Sequence, residues 1–128
     1  MRWIWIDKFV EFTPRTSATA IKNVSLAEEH LHDLYPAFPI VPHSLIIEGM
    51  AQTAGAICVL SEMSGNQPRQ VYFLTIDKAK FRKPVIPGDT VEFHVKKIAR
   101  KKRMWWFRGE AKVAGQLVAE AEVGAMLS

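Results

Sequence analysis

The chain has 128 residues, 48% of them hydrophobic and 23% charged, with no low-complexity tract; that is enough for one folded domain over residues 1–128 with a core and excludes a disordered chain. The net charge of +4 is local: Lys96, Lys97, Arg100, Lys101, Lys102 and Arg103 fall within eight positions, which reads either as a solvated hairpin end or as a surface for an acidic partner. Cys58 is the single cysteine, which excludes an intrachain disulfide and a multi-cysteine metal site and fits a reducing, cytoplasmic setting.

Met1 to Ile6 are too few residues before Asp7 for a secretory signal. Residues 4–12 mix aromatic and β-branched types, Thr13-Pro14-Arg15-Thr16 breaks the run, and Thr19, Ile21 and Val24 continue it, so a hairpin is expected. Ser25 with Glu28 three residues on has capping-box spacing and predicts a short helix from Leu26 to Asp33. Pro36, Pro39 and Pro42 then forbid regular structure and deliver the chain to a new helix start near His43 or Ser44.

From Ser44 to Met63 good helix formers run without proline and are apolar on nearly every face, so this helix is expected to be buried all round. Its apolar stretch, Leu45 to Leu60, is shorter than the ~20 residues of a membrane span and contains Glu48 and Gln52. The economical way to bury such a helix is to wrap a curved antiparallel sheet around it, an α+β arrangement, with a second subunit as a further cover.

The rest of the chain supplies that sheet. Gln70 to Lys80 reads as a strand and Pro84 to Asp89 as a turn. Val91, Phe93 and Val95, then Trp105, Phe107, Gly109, Ala111 and Val113, alternate with polar residues, and after Ala114-Gly115 so do Leu117, Ala119, Ala121, Val123, Ala125 and Leu127. That alternation sends Trp105 and Phe107 inward and leaves only Trp106 outside beside Arg108, which argues against a nucleic-acid stacking platform.

Glu48 is the most informative residue. A carboxylate in an apolar helix is costly unless paired or protonated, and desolvation is expected to raise its pKa. It reads either as a general acid or base, with Gln52 one turn on to orient it or bind substrate, or as a structural carboxylate met by backbone groups, Lys80 or Arg82. The backbone N–H groups of His43, Ser44 and Leu45 at the helix start offer a site for a developing oxyanion. His30, His32, His43 and His94 have no zinc-site spacing, so no metal is expected; His94 falls on the polar face of a strand, and His43 reads as a ring beside the helix amides.

The segment from Leu34 through Tyr35, Pro36, Pro39, Pro42, Ser44, Leu45, Ile46, Ile47 and Glu48 to Gln52 resembles the pattern H-F-P-G-x-P-V-M-P-G-x-L-I-I-E-x-x-A-Q of the β-hydroxyacyl thioester dehydratases. Ile76-Asp77-Lys78-Ala79-Lys80-Phe81-Arg82-Lys83-Pro84-Val85-Ile86-Pro87-Gly88-Asp89 is similar to that family's I-D-K-A-R-F-R-x-P-V-x-P-G-D. The resemblance implies a hotdog fold, no cofactor, and a homodimer or larger homo-oligomer whose site pairs a histidine of one protomer with the helix carboxylate of the other. It also implies substrates carried on an acidic acyl carrier protein or on coenzyme A, in fatty-acid biosynthesis.

Carried over residue by residue, Glu48 matches the catalytic carboxylate, Gln52 the helix glutamine, and His43 the glycine whose amide faces the substrate carbonyl. Leu34 stands at the catalytic histidine and Ala37 at the following glycine. Leucine takes no proton, so three outcomes follow: a dehydratase rescued by His43, or by His32 or Tyr35; a thioesterase using Glu48 and the helix amides; or a noncatalytic acyl-carrier or acyl-chain binding protein. The expected substrate contacts are Leu34, Tyr35, Ser44 and Gln52, and the expected carrier contacts are Arg82, Lys83, Arg100, Lys101, Lys102 and Arg103.

Overall fold

A computed structural model describes residues 5–25, 41–62 and 71–127. The predicted short helix at 26–33, the proline-rich stretch to 40, and with them His30, His32, Leu34 and Tyr35, lie outside the described residues.

The elements are β1 (Lys8–Thr13), β2 (Ser17–Asn23), α1 (His43–Glu62), β3 (Val71–Phe81), β4 (Thr90–Lys101), β5 (Met104–Val113) and β6 (Gln116–Leu127). All neighbouring strands pair antiparallel in one sheet of order β1-β2-β4-β5-β6-β3. The Ala114-Gly115 turn has both residues at positive φ, 51° and 79°, the backbone a tight two-residue hairpin requires.

The alternation expected of β4 and β5 holds. Val91, Phe93, Val95, Trp105, Phe107 and Ala111 are buried on the face that receives α1, and Trp106, Arg108 and Glu110 stand on the other. In β6 it fails at one place. Ala111 pairs with Ala119 but Lys112 pairs with Leu117, so Val118 is an inserted bulge residue; it is buried, and Leu117 turns to the face of Lys112. The bulge has a use: the Val118 carbonyl accepts the N–H of Arg82 at 2.7 Å and fixes where the chain leaves β3.

Within one chain α1 is buried on one face. Ile46, Met50, Thr53, Ala54, Ile57 and Cys58 are buried at helical spacing against the sheet, while Ile47, Glu48, Ala51, Gln52, Gly55 and Val59 on the opposite face stay half-buried. One curved sheet covers one face of a helix. The contact is close, because a Cβ at Gly49 would land on the Phe93 ring, and one at Gly109 would stand 2.9 Å from the Met50 sulfur.

The loop after β3 ties the helix start to the sheet. Val41 N–H donates to the Val85 carbonyl at 2.8 Å, Val24 N–H to Asp89 at 3.0 Å, and Gly88 N–H to Val24 at 2.9 Å. The helix N-terminus is therefore anchored at the end of the sheet where β3 finishes and β4 begins.

Candidate active site

Glu48 lies in the second turn of α1, half-buried on the face that the sheet leaves uncovered. Gln52, one turn on, donates from Nε2 to Glu48 Oε1 at 3.0 Å, and its Oε1 accepts the backbone N–H of Trp5 at 2.8 Å. Both ends of the amide are thus used, which fixes its flip and aims its donor at the carboxylate. Trp5 is 2% exposed, with the Lys22 ammonium 4.6 Å from its ring centroid, so the segment entering β1 clamps the Glu48–Gln52 pair from the β2 side. Sequence reasoning gave Gln52 a choice of orienting Glu48 or touching substrate; in the structure its amide donates to the Glu48 carboxylate. It offered no sign of Trp5, whose part is played by a backbone amide 47 positions away.

The structural alternative for Glu48 had it met by backbone groups or by a cation such as Lys80 or Arg82, and neither cation is beside it. Arg82 instead binds Glu120 at 2.9 Å, and Lys80 is exposed on β3 opposite Glu120 in register. The expectation of deep burial is likewise not met within one protomer.

His43 is exposed, and its ring lies parallel to that of Phe81, centroids 3.9 Å apart with an interplanar angle of 1°. With Phe81, Arg82, Lys83 and Pro84 it lines a recess of about 170 Å³. Phe81 appeared in the sequence only as a member of the second motif; its role as a platform for His43 came from the fold. Residues 43 and 48 are separated by about 140° around a helix. Accordingly His43 points to the β3 side and Glu48 to the Trp5 side, and the two are not brought together within one chain.

Of the three helix-start amides, Leu45 N–H is taken by the Pro42 carbonyl at 3.0 Å. Among the described residues the His43 and Ser44 amides meet no acceptor, and both residues are exposed. Among the described residues no three His, Cys, Asp or Glu side chains are grouped to hold a metal ion.

The residues expected to hold a carrier divide into two groups. Arg82 and Lys83 adjoin His43, but Arg82 is engaged by Glu120 and Lys83 Nζ donates to Gln116 at 2.7 Å. Lys101, Lys102 and Arg103 occupy the β4–β5 hairpin tip, and β5 runs about 30 Å from there to Val113. Within one chain they are at the other end of the sheet. Arg100 turns back, its guanidinium 4.2 Å from the Trp105 ring centroid.

Glu120 was not singled out from the sequence. It accepts from Arg82 at 2.9 Å and from Arg108 at 3.0 Å, so Arg108 is spent on this carboxylate and not on Trp106. The two guanidiniums, that of Arg82 foremost, hold the Glu120 carboxyl below its ordinary range. His94 is as expected on the outer face, with Nε2 2.8 Å from Glu92 and Nδ1 3.2 Å from the Thr19 hydroxyl.

Residues 4–122 match the model of the FabA-like domain family. The chain is 53% identical over 126 residues, covering 98% of this chain and 76% of the relative, to 3-hydroxyacyl-(acyl-carrier-protein) dehydratase FabZ of Methylobacterium sp. strain 4-46. It is 55% identical, with 98% and 83% covered, to the FabZ dehydratase of Rhodopseudomonas palustris strain TIE-1. Among solved structures, a chain of the dehydratase heterocomplex ApeI:P from Xenorhabdus doucetiae superposes with a TM-score of 0.77 at 13% identity, covering 98% of this chain and 83% of that one, a likeness of fold.

Proposed function

Since the chain belongs to the FabA-like family of hotdog-fold dehydratases, we propose that it eliminates water from a 3-hydroxyacyl chain held as a thioester on acyl carrier protein, in cytoplasmic fatty-acid biosynthesis. The observation that carries this reading is the Glu48–Gln52 pair: a carboxylate oriented from behind by an amide, near a helix N-terminus, on a face open to an approaching chain.

In this reading the His43 imidazole takes the proton from C2, and negative charge moves onto the thioester oxygen toward the His43 and Ser44 amides. Glu48 delivers a proton to the C3 hydroxyl, the C3–O bond breaks, and water and the 2-enoyl thioester leave. His43 substitutes for the histidine that Leu34 displaces. Because His43 and Glu48 diverge on one helix, the site pairs His43 of one protomer with Glu48 of another. Support for a dimer comes from β3, an edge strand with Tyr72 48%, Phe73 40% and Ile76 56% exposed, and from the half-buried face of α1.

The test is incubation with 3-hydroxyacyl, 2-enoyl and saturated acyl-carrier thioesters, following double-bond formation and free thiol separately. Dehydration and hydration without thiol release is the expected result. Thiol release alone means a thioesterase, and binding without turnover of any substrate sinks the enzymatic reading.

A further inference from the structure

The segment that enters β1 departs from its partner strand at Trp5. Asp7 N–H donates to the Ile21 carbonyl of β2 at 2.9 Å, and a regular antiparallel ladder, in which alternate residues exchange bonds, would next send the Trp5 N–H to the backbone of Asn23. Instead the Asn23 N–H donates to Asp7 Oδ2 at 2.6 Å, and the Trp5 N–H donates to Gln52 Oε1 at 2.8 Å. The Asn23 side chain is held in turn, its Oδ1 accepting the Thr90 hydroxyl of β4 at 2.8 Å.

The Trp5 ring is fixed as well as its amide. It is 2% exposed, and the Lys22 ammonium stands 4.6 Å from its centroid and 3.5 Å from Asp7 Oδ1. Only 13% of the Lys22 side chain is exposed, whereas Lys8, on the same hairpin, is exposed. Drawing an ammonium this far from water costs free energy, which the carboxylate and the indole face offset. One Asp7 oxygen therefore serves the Asn23 amide and the other the Lys22 ammonium. From these two residues an unbroken run of contacts leads through Trp5 and Gln52 to Glu48 Oε1, 3.0 Å from Gln52 Nε2.

We propose that Asp7 and Lys22 are positioning residues for the Glu48 carboxylate. Asp7 occupies the Asn23 amide and so turns the Trp5 N–H away from the ladder; Lys22 pins the Trp5 ring, so that N–H keeps one direction. Gln52, held at its oxygen, then keeps its own donor on Glu48. The inference rests on the reading of Glu48 as the proton donor and deepens it, extending the site from α1 to the β1–β2 hairpin. A residue that only braced the hairpin would change stability and leave the carboxylate where it is. A loosened Trp5 amide instead misdirects a proton-transfer group, which lowers the rate of bound substrate and not its binding.

The test combines kinetics on carrier-bound 3-hydroxyacyl substrate with amide NMR of the full chain. Lys22→Met keeps the stem and loses the charge; it is expected to lower kcat about tenfold with little change in KM. Lys22→Arg should restore most of that loss, and Lys8→Met should match the parent. Because Lys22 acts through Gln52, Lys22→Met should cost nothing further in a Gln52→Leu background. By NMR, Lys22→Met should speed hydrogen exchange at the Trp5 N–H about tenfold and shift the Gln52 side-chain amide signals. Asp7→Asn gives the same readout if Lys22→Met fails to fold, since it keeps an acceptor for Asn23 and removes the charge opposite Lys22. Unchanged Trp5 exchange and Gln52 signals in folded variants overturn the proposal, as does a rise in KM alone or an equal tenfold fall in the Gln52→Leu background. If the parent turns over no substrate, altered Trp5 and Gln52 signals in Lys22→Met leave the positioning role standing and remove the dehydratase reading; dehydration by the parent with full kcat in Lys22→Met does the reverse.

Discussion

Gln52 stands between Trp5 and Glu48, accepting the Trp5 backbone N–H at 2.8 Å and donating to the Glu48 carboxylate at 3.0 Å. A side-chain amide fixed at both ends leaves the carboxylate one preferred orientation, and orientation of a proton-transfer group is worth orders of magnitude in rate. Glu48→Gln is expected to cut turnover by about 10²–10⁴-fold, the range for a positioned acid or base. Gln52→Leu should lower kcat by about 10²-fold with little change in KM, since it misplaces Glu48 without removing it. Steady-state kinetics on carrier-bound substrate separates the two, and a parental kcat in Gln52→Leu would show that the amide is idle.

The stacked pair of His43 and Phe81 leads to a second experiment. If His43 carries the C2 proton, His43→Ala loses about 10²–10⁴-fold in dehydration. Phe81→Leu retains a fraction of the activity, because the imidazole loses its platform. Leu34→His placed in His43→Ala restores dehydration. Full activity in His43→Ala alone removes His43 from the mechanism.

Glu120 makes stability depend on acid. Its folded pKa lies below the ordinary value because Arg82 and Arg108 favour the charged form. The stabilisation is therefore complete above the ordinary carboxylate range, and it is lost as pH falls through that range toward the lowered value. Chemical denaturation across the acid range should show the parent losing this increment and Glu120→Gln, already lower near neutrality, losing less. Equal acid sensitivity in both would place the dependence on other groups.

Gly49 tests the packing of helix on sheet. Alanine there puts a methyl on the Phe93 ring, and relief requires moving a fully buried aromatic or lifting α1. Gly49→Ala should destabilise by about 1–3 kcal/mol although alanine is the better helix former. The double variant with Phe93→Leu should recover part of that loss, measured as the denaturant midpoint.

The hairpin of β1 and β2, the helix from His43, and the meander of β4, β5 and β6 were all legible as periodicity, because burial of a strand or helix face is written in residues two or three to four apart. The bulge at Val118 was not, since an inserted residue breaks a period without leaving a compositional mark; strict alternation placed Leu117 where Val118 belongs. The face of α1 that this chain leaves half-buried was read as covered, with a second subunit as a further cover. Apolarity records that a surface is covered, and does not record by which chain.

Sequence by itself determined the family, the central helix and Glu48 with Gln52 one turn on, since these depend on local spacing and on motifs written continuously along the chain. The tertiary structure alone decided that Gln52 is held by Trp5, that His43 rests on Phe81 away from Glu48, and that Arg82 is spent on Glu120. It also set Lys101, Lys102 and Arg103 beside Met104, Trp106 and Met126 at the far end of the sheet. Each of these is a contact between residues distant along the chain, made when strands of fixed register close around the helix, and no local pattern encodes which cation meets which carboxylate.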